Sequence, residues 1–336
     1  MSASMPMASC DVRATGARRW ALEMLGLEHA AFAPASADAS FRRYFRVSLG
    51  RRSWIVMDAP PEHEDCRPFL RVAELMREAG LRVPVVLAQD FKAGYLLLSD
   101  LGKQTCLALV DDSNAEAFYT TAIDALILWQ KASRPRMLPD YDAALLGREL
   151  ALFPDWYLAR HLGTPLDQAG RAHFDAIAQV LVEAAVAQPR VFVHRDFMLR
   201  NLMPGNPAPG VLDFQDAVYG PVTYDPVSLV KDAFLSWPAP RVEHWLRVYH
   251  ARAVQAGVPV TEWSRFQRDC DWMGLQRHLK VLGIFARLTH RDGKAKYAAD
   301  TPRFVRYVME VAPRYPELRA LTELFETRVL PRVDVA

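Results

Sequence analysis

The chain of 336 residues is 51% hydrophobic and 24% charged, which argues against a disordered protein and leaves room for two lobes. Its net charge of +2 gives no overall signature of nucleic-acid binding. Four scattered cysteines without a CxxC pair argue against a disulfide framework or a zinc site and favour reduced thiols in the cytoplasm.

The sequence shows neither a membrane-crossing segment nor a secretion signal. No apolar run reaches the roughly 18 residues that a transmembrane helix needs. The first ten residues, MSASMPMASC, lack the basic start and the apolar stretch of a signal peptide. We therefore expect a cytoplasmic protein that acts without a membrane or nucleic-acid partner.

The first hundred residues predict a small sheet that carries one helix. In chain order, the patterns predict a short helix at 18–27, a hairpin formed by 39–47 and 54–57, a helical stripe at 69–76 closed by Gly80, and strands at 83–88 and 95–99. After residues 100–102 the strand patterns give way to mainly helical ones. We therefore place an N-terminal lobe at 1–100 and a C-terminal lobe at 101–336.

Helical patterns dominate the second lobe. They are longest at 114–131 and 167–187, and they return from residue 228 to the end, interrupted by prolines. The exception is a short pair of strands that brackets residues 194–201. The sequence thus predicts an α+β, bilobal fold with a small β-sheet lobe and a larger, mainly helical lobe.

Oxygen-bearing side chains follow the first of these two strands and recur at the next. The stretch HRDFMLRN comes directly after the apolar run 191–193, and Asp213 follows twelve residues after Asn201 in the stretch VLDFQDA. Asp196 suits the carboxylate that orients an acceptor hydroxyl in phosphoryl transfer, and Asn201 and Asp213 suit ligands of Mg²⁺. Spacing alone leaves open that these are two unrelated polar turns.

These motifs resemble the catalytic loop and the metal loop of the protein-kinase-like fold. The resemblance is to its aminoglycoside phosphotransferase branch, which lacks an activation segment. More narrowly, ADASFRRYFRV, IVMDAPPE, LLLSDLG and DFQDAVYGPVTYDPVSLVKD resemble the anomeric kinases of N-acetylmuramate and N-acetylglucosamine.

The resemblance implies an enzyme that uses ATP and Mg²⁺ to phosphorylate the C1 hydroxyl of these two amino sugars in cell-wall (peptidoglycan) recycling. It implies that Asp196 is catalytic and that Asn201 and Asp213 bind the metal. It also implies that Asp225 anchors the backbone of the catalytic loop. We expect a monomer whose partner is a small-molecule sugar.

The sequence departs from the general kinase pattern in the first lobe. Met57 stands where kinases carry a strand lysine, and no GxGxxG motif is present to cover the phosphates. Ser40 and Arg43 are the candidates to bind phosphate, with Arg42 and Arg46 nearby. The alternative is that these arginines are ordinary solvated strand residues.

The stretch YLLLSDLG resembles the kinase hinge. The resemblance implies that backbone groups around Leu98 and Asp100 pair with adenine. Two other functions stay open at this point: a kinase of another small alcohol or an aminoglycoside, and a nucleotide-binding pseudokinase that scaffolds partners. Met57 favours the pseudokinase, whereas the complete set of Asp196, Asn201 and Asp213 argues against it.

Overall fold

The computed structural model describes residues 11–37 and 41–334. The chain divides into two compact units. The first extends to Glu78 and includes Arg82–Lys103 and Gly210–Gln215; the second comprises Ala79–Leu81, Gln104–Pro209 and the chain from Asp216 onward. The expected lobe boundary after residue 100 stays a prediction, and the short stretch Gly210–Gln215 groups with the first unit.

The first unit is built on an antiparallel sheet. Its elements are α1 (Val12–Leu25), β1 (Ala31–Ala37), β2 (Arg43–Leu49), β3 (Arg52–Asp58), α2 (Arg67–Glu78), β4 (Val86–Asp90) and β5 (Tyr95–Ser99). The five strands lie in the order β1-β2-β3-β5-β4. The hairpin, the helix and the last two strands were all predicted, whereas β1 was not.

Helix α1 is longer than the pattern at 18–27 predicted. It begins at Val12 because the side chain of Asp11 accepts the N–H of Ala14 at 2.9 Å, which caps the first turn. Its buried residues Ala17 and Ala21 pack in the same core cluster as apolar side chains of the sheet. Both helices of the unit were predicted, α1 with a later start than the structure has and α2 as the helical stripe at 69–76.

A buried carboxylate ties α1 to the hairpin. Asp58, at the end of β3, is fully buried, and its two oxygens lie 2.5 Å from Nη2 of Arg13 and 2.5 Å from Nη2 of Arg43. Arg13 also donates to the carbonyl of Ala93 at 2.8 Å. Charge-assisted hydrogen bonds of this kind satisfy a carboxylate that would be costly to bury alone.

The remaining elements are mainly helical. They are α3 (Cys106–Leu109), α4 (Ala115–Lys131), α5 (Ala143–Leu152), α6 (Gln168–Val186), β6 (Arg190–Val193), β7 (Leu202–Met203), β8 (Gly210–Val211), β9 (Val218–Pro221), α7 (Tyr224–Val230), α8 (Ala239–Ala256), α9 (Trp263–His290), α10 (Thr301–Val311) and α11 (Arg319–Leu324). All belong to the second unit except β8, where Val211 N–H donates to the carbonyl of Arg82 at 2.8 Å. Strands β6 and β9 pair antiparallel. The strand predicted just before Asp213 is β8, whereas β9, the partner of β6, follows Asp213 and was not predicted.

The 28-residue helix α9 forms the centre of the second unit. Most of its residues are buried, and it packs against α5, α6, α7, α10 and a nine-residue π-helix, Phe153–His161, that continues α5. The α+β architecture predicted from the sequence is confirmed. In the described ranges, no helix has the length and apolar character needed to cross a membrane.

The close approach of α9 to the end of α5 depends on Gly283. A Cβ atom built at this position would lie 2.4 Å from the carbonyl carbon and 2.6 Å from the carbonyl oxygen of Leu152. We expect Gly283→Ala to lower the free energy of unfolding by about 1–3 kcal/mol, the usual cost of overpacking. Chemical denaturation of the variant measures this loss.

Gly147 provides a matched control in α5. A Cβ atom there would meet no atom within 4 Å, so Gly147→Ala should be neutral or stabilise the protein by about 0.5–1 kcal/mol through better helix propensity. Equal effects of the two substitutions would contradict the assigned role of Gly283.

Candidate active site

A buried carboxylate fixes the backbone where the loop 194–201 begins. Asp225, in the first turn of α7, is fully buried and accepts the N–H of His194 at 2.6 Å and the N–H of Arg195 at 3.0 Å. Arg195 has a φ of 76°, a conformation uncommon for residues other than glycine. The two hydrogen bonds hold this conformation in place, and they confirm that Asp225 anchors the loop.

Asp196 is the residue that the loop presents to solvent. Its side chain is exposed, whereas the neighbouring His194, Phe197 and Met198 are buried. Its N–H lies 3.3 Å from Nδ1 of His194, and its carbonyl oxygen accepts Nδ2 of Asn201 at 2.9 Å. The carboxylate thus faces outward while the backbone on both sides of it is held.

Asn201 closes the loop from its other end. Its N–H donates to the carbonyl of Met198 at 2.9 Å, and its amide nitrogen is directed at Asp196. The amide oxygen Oδ1 is therefore the atom of this side chain that suits a hard cation, because Mg²⁺ prefers oxygen ligands. The donor chemistry of Asn201 fits the predicted metal.

Asp232 is a buried carboxylate close to Leu199 of the loop, and the sequence motifs did not point to it. It is fully buried, and its Oδ1 accepts the N–H of Phe234 at 2.7 Å. Burial raises the pKa of Asp232, while hydrogen bonds from the backbone of Phe234 and Leu199 and the charge of Arg277 oppose the shift. The contribution of Leu199 places this carboxylate against the loop between Asp196 and Asn201.

In the first unit, Asp213 lies in a turn whose shape is held by its neighbours. It has a φ of 61°, and its Oδ1 accepts Nε2 of Gln215 at 2.8 Å. The next residue, Phe214, is fully buried and packs on Phe69 of α2 with ring centroids 4.7 Å apart. The half-buried carboxylate of Asp213 also offers the hard oxygen that Mg²⁺ requires.

The three candidate phosphate-binding arginines all have carboxylate partners within the first unit. Arg43 pairs with Asp58 and with Asp11, and its guanidinium also lies 5.4 Å from the ring centre of Phe45. Arg42 pairs with Glu64 at 3.0 Å, and Arg46 pairs with Asp100 at 2.6 Å. These contacts support the structural alternative for Arg43, and its role in phosphate binding stays a prediction.

The other predicted nucleotide contacts lie at the end of β5. Leu98 is buried between β3 and β4, opposite Ile55 and Val86. Asp100 accepts the N–H of Gly102 at 2.9 Å. Burial acts to raise the pKa of this carboxyl, but hydrogen bonds, first among them the one from Arg46, outweigh burial and lower the pKa. Ser40, the remaining candidate, lies outside the described residues.

The guanidinium of Arg195 pairs with Glu149 of α5 at 2.5 Å. The sequence motifs did not point to Glu149 as the partner of Arg195. Lys280 of α9 lies 2.9 Å from the same carboxylate. The available signal was a charged residue on the apolar face of a helix, because Glu149 lies between the buried residues Leu146 and Leu150.

The anchor Asp225 generates a prediction about pH. Burial, the largest influence, raises the pKa of this carboxyl to about 7, against the hydrogen bonds from His194 and Arg195. Between the ordinary pKa near 3.8 and 7, the native state keeps a proton that the unfolded chain has lost, so this group stabilises the fold less as pH rises.

We therefore expect the free energy of unfolding of the wild type, minus that of Asp225→Asn, to fall by about 2–3 kcal/mol from pH 5 to pH 8, since asparagine does not titrate. Urea denaturation of both proteins across this range measures the difference. A constant difference would contradict the raised pKa of Asp225.

Comparisons with known proteins show the family of this chain. The model of the phosphotransferase enzyme family, APH, matches residues 31–266. An N-acetylmuramate/N-acetylglucosamine kinase of Pseudomonas aeruginosa is 57% identical over 87% of this chain and 86% of its own length.

Two solved structures share the fold at low sequence identity. A choline/ethanolamine kinase family protein from Mesorhizobium loti superposes with a TM-score of 0.64 at 15% identity, over 93% of this chain and 100% of that one. A ternary complex of streptomycin, ATP and the phosphotransferase APH(2")-IIa gives a TM-score of 0.58 at 13% identity, over 85% of this chain and 93% of that one. The chain belongs to the phosphotransferase enzyme family and, within it, groups with the N-acetylmuramate/N-acetylglucosamine kinases.

Proposed function

We propose that this protein is an ATP- and Mg²⁺-dependent kinase of the cytoplasm. It transfers the γ-phosphoryl group to the anomeric hydroxyl of N-acetylmuramate and N-acetylglucosamine, and so returns cell-wall sugars to precursor synthesis. It acts as a monomer. The identity of 57% to a relative of that name supports the choice of substrate.

The observation that carries the proposal is the exposed carboxylate of Asp196 on a loop whose backbone is hydrogen-bonded on both sides of it. Phosphoryl transfer needs little covalent chemistry from the protein, so its residues mainly position groups and stabilise charge. A base that is exposed to the acceptor and held by Asp225 and Asn201 meets the positioning requirement.

Asp196 accepts the proton of the sugar hydroxyl as that oxygen attacks the phosphorus atom. The carboxylate also orients the hydroxyl before attack, because it is a hydrogen-bond acceptor. The buried Met198, two residues on, cannot donate a hydrogen bond or carry charge. The charge that develops on the transferred group must therefore be stabilised by other residues.

Asn201 and Asp213 are each proposed as Mg²⁺ ligands, through an amide oxygen and a carboxylate oxygen. When bound there, Mg²⁺ would supply positive charge that offsets the charge of the phosphates. Mg²⁺ commonly uses only one or two protein ligands together with substrate phosphates, so a small set of oxygen donors is sufficient.

Nucleotide binding is proposed for the backbone around Leu98 and Asp100, which would pair with adenine. Ser40 is kept as a proposed phosphate ligand. Arg43 is kept with it, although its guanidinium already balances Asp58 and Asp11. Loss of ATP affinity in Arg43→Ala without a drop in melting temperature would support the phosphate role.

The reaction can be followed by ³¹P NMR with Mg-ATP and each candidate sugar. We expect a C1-phosphate doublet with both N-acetylmuramate and N-acetylglucosamine, and none with choline or an aminoglycoside. A product only with those other acceptors would support a different kinase. ATP binding without any product would support the pseudokinase.

In the same assay, Asp196→Asn should lower turnover by about 10²–10⁴-fold, because the nearly isosteric amide cannot accept a proton. The melting temperature and ATP affinity should stay close to those of the wild type, since the side chain is exposed and makes its loop contacts through the backbone. Near-wild-type turnover would remove Asp196 from the mechanism.

Asp213→Ala should weaken the binding of Mg-ATP more than Asn201→Ala does. The first substitution removes a charged oxygen ligand and the second a neutral one, and a hard cation is bound more strongly by the carboxylate. Isothermal calorimetry with and without Mg²⁺ tests the order. Unchanged affinity in Asp213→Ala would contradict its assignment as a metal ligand.

A further inference from the structure

A buried ionic network lies behind the catalytic loop. Oε1 of Glu149 is 2.5 Å from Nη2 of Arg195 and 2.9 Å from Nζ of Lys280. Glu149 and Lys280 are only 6% and 7% exposed, so these are not ordinary surface ion pairs. One carboxylate of α5 thus holds a cation of the loop and a cation of α9.

Neutral groups complete the network. The hydroxyl of Tyr141 donates to Oε2 of Glu149, and Nε2 of Gln276 lies 3.4 Å from the same oxygen. Nζ of Lys280 donates to the hydroxyl of Tyr224 at 2.9 Å. The guanidinium of Arg195 lies 5.6 Å from the ring centre of Tyr141. Both oxygens of the carboxylate therefore have partners.

The charges keep one another ionised. Burial alone would raise the pKa of Glu149, but Lys280 and Arg195 reverse the shift and lower it. Burial likewise works against the charge of Lys280, yet Tyr224 and Glu149 raise the pKa of this ammonium. Removing one member of such a group leaves another charge buried without compensation, which destabilises the fold.

The network acts on the residue that directly precedes Asp196. The backbone N–H of Arg195 is held by Asp225, and its guanidinium is held by Glu149, so both ends of this left-handed residue are fixed. In regulated kinases, a phosphorylated loop supplies the anion that pairs with an arginine and orders the site. Here only eleven residues separate Asp213 from Asp225, and they include β9.

We propose that Glu149 is a positioning residue. Its carboxylate is the anion that pairs with Arg195, and it is a permanent part of the fold. Its carboxylate holds Arg195, and through Arg195 it keeps Asp196 in its working geometry without a phosphorylation switch. Lys280 holds Glu149 in place and leaves the network with a positive charge. The proposal rests on the proposed role of Asp196 as the base.

Three variants separate positioning from general stability. Glu149→Gln should lower kcat by about 10- to 100-fold, as a small misplacement of a catalytic group does, while the KM values for sugar and ATP stay within about twofold. Its melting temperature should also fall. The double variant Glu149→Gln with Lys280→Met removes one of the two cations that the first substitution leaves without Glu149, so it should regain part of the melting temperature without regaining kcat.

Asp269→Asn is the matched control. Asp269 is another buried carboxylate with an arginine partner, Arg265, and it lies on α9. This substitution should lower the melting temperature and leave kcat unchanged. If kcat instead followed melting temperature across all the variants, Glu149 would be a purely structural residue and the proposal would be overturned.

Hydrogen exchange gives a readout that does not depend on activity. In Glu149→Gln, the amides of residues 194–201 should exchange at least about tenfold faster than in the wild type, because the loop opens locally more often. Unchanged protection would overturn the proposal even if the enzyme were active. Absence of wild-type kinase activity, with loop protection still dependent on Glu149, would overturn only the proposed function.

Phosphatase treatment of the wild type tests the absence of a switch. The dephosphorylated enzyme should keep its full kcat, because Glu149 already supplies the anion. Loss of kcat after treatment would overturn this part of the proposal.

Discussion

The two hydrogen bonds from the N–H groups of His194 and Arg195 to Asp225 set the constraint on which the catalytic loop depends. In the proposed mechanism the base, Asp196, has to be exposed to meet a dissolved sugar, and exposure removes the packing that normally holds a side chain still. Rigidity must then come from the backbone. Asp225 provides it from the buried side, at the cost of placing a carboxylate in the protein interior.

The packing of α5 on α9 sets the position of the second support. Gln276, Lys280 and Gly283 follow one another at intervals of four and three residues, so they share one face of α9. Two of them contact Glu149, and Gly283 meets Leu152, three residues further along α5. The absence of a side chain at Gly283 lets the helices approach. That approach brings the carboxylate of Glu149 within reach of Lys280.

The sequence was most informative where chemistry and local pattern coincide. HRDFMLRN and the following DFQ could be interpreted because a strand, a loop and another strand bring their polar residues into one short stretch, and helices α4 and α6 followed from periodicity. The start of α1 was missed because its cap, Asp11, precedes the apolar pattern. Strand β1 was missed because AFAPASA has weak strand propensity and pairs only through its neighbour β2.

Long-range partners could not be predicted in this way. Glu149 lies 46 residues before Arg195, and Lys280 follows far beyond both, so no spacing rule connects them. Spacing likewise does not reveal the partner of Arg43, because Asp58 is brought opposite it by the register of β2 on β3. A single sequence identifies which side chains can carry charge, but the fold decides which opposite charges they meet.

The charges behind the loop do not cancel, and this has a chemical consequence. Arg195 and Lys280 share one carboxylate, so two positive charges face one negative charge. Asp196 interacts electrostatically with both cations. Met57 and Met198 are both buried and uncharged. In the proposed mechanism, part of the positive charge that stabilises the reacting groups therefore comes from beneath the catalytic loop. The residues that supply it, Arg195 and Lys280, also hold the loop in place, so the geometry of the base and the local charge cannot be altered independently.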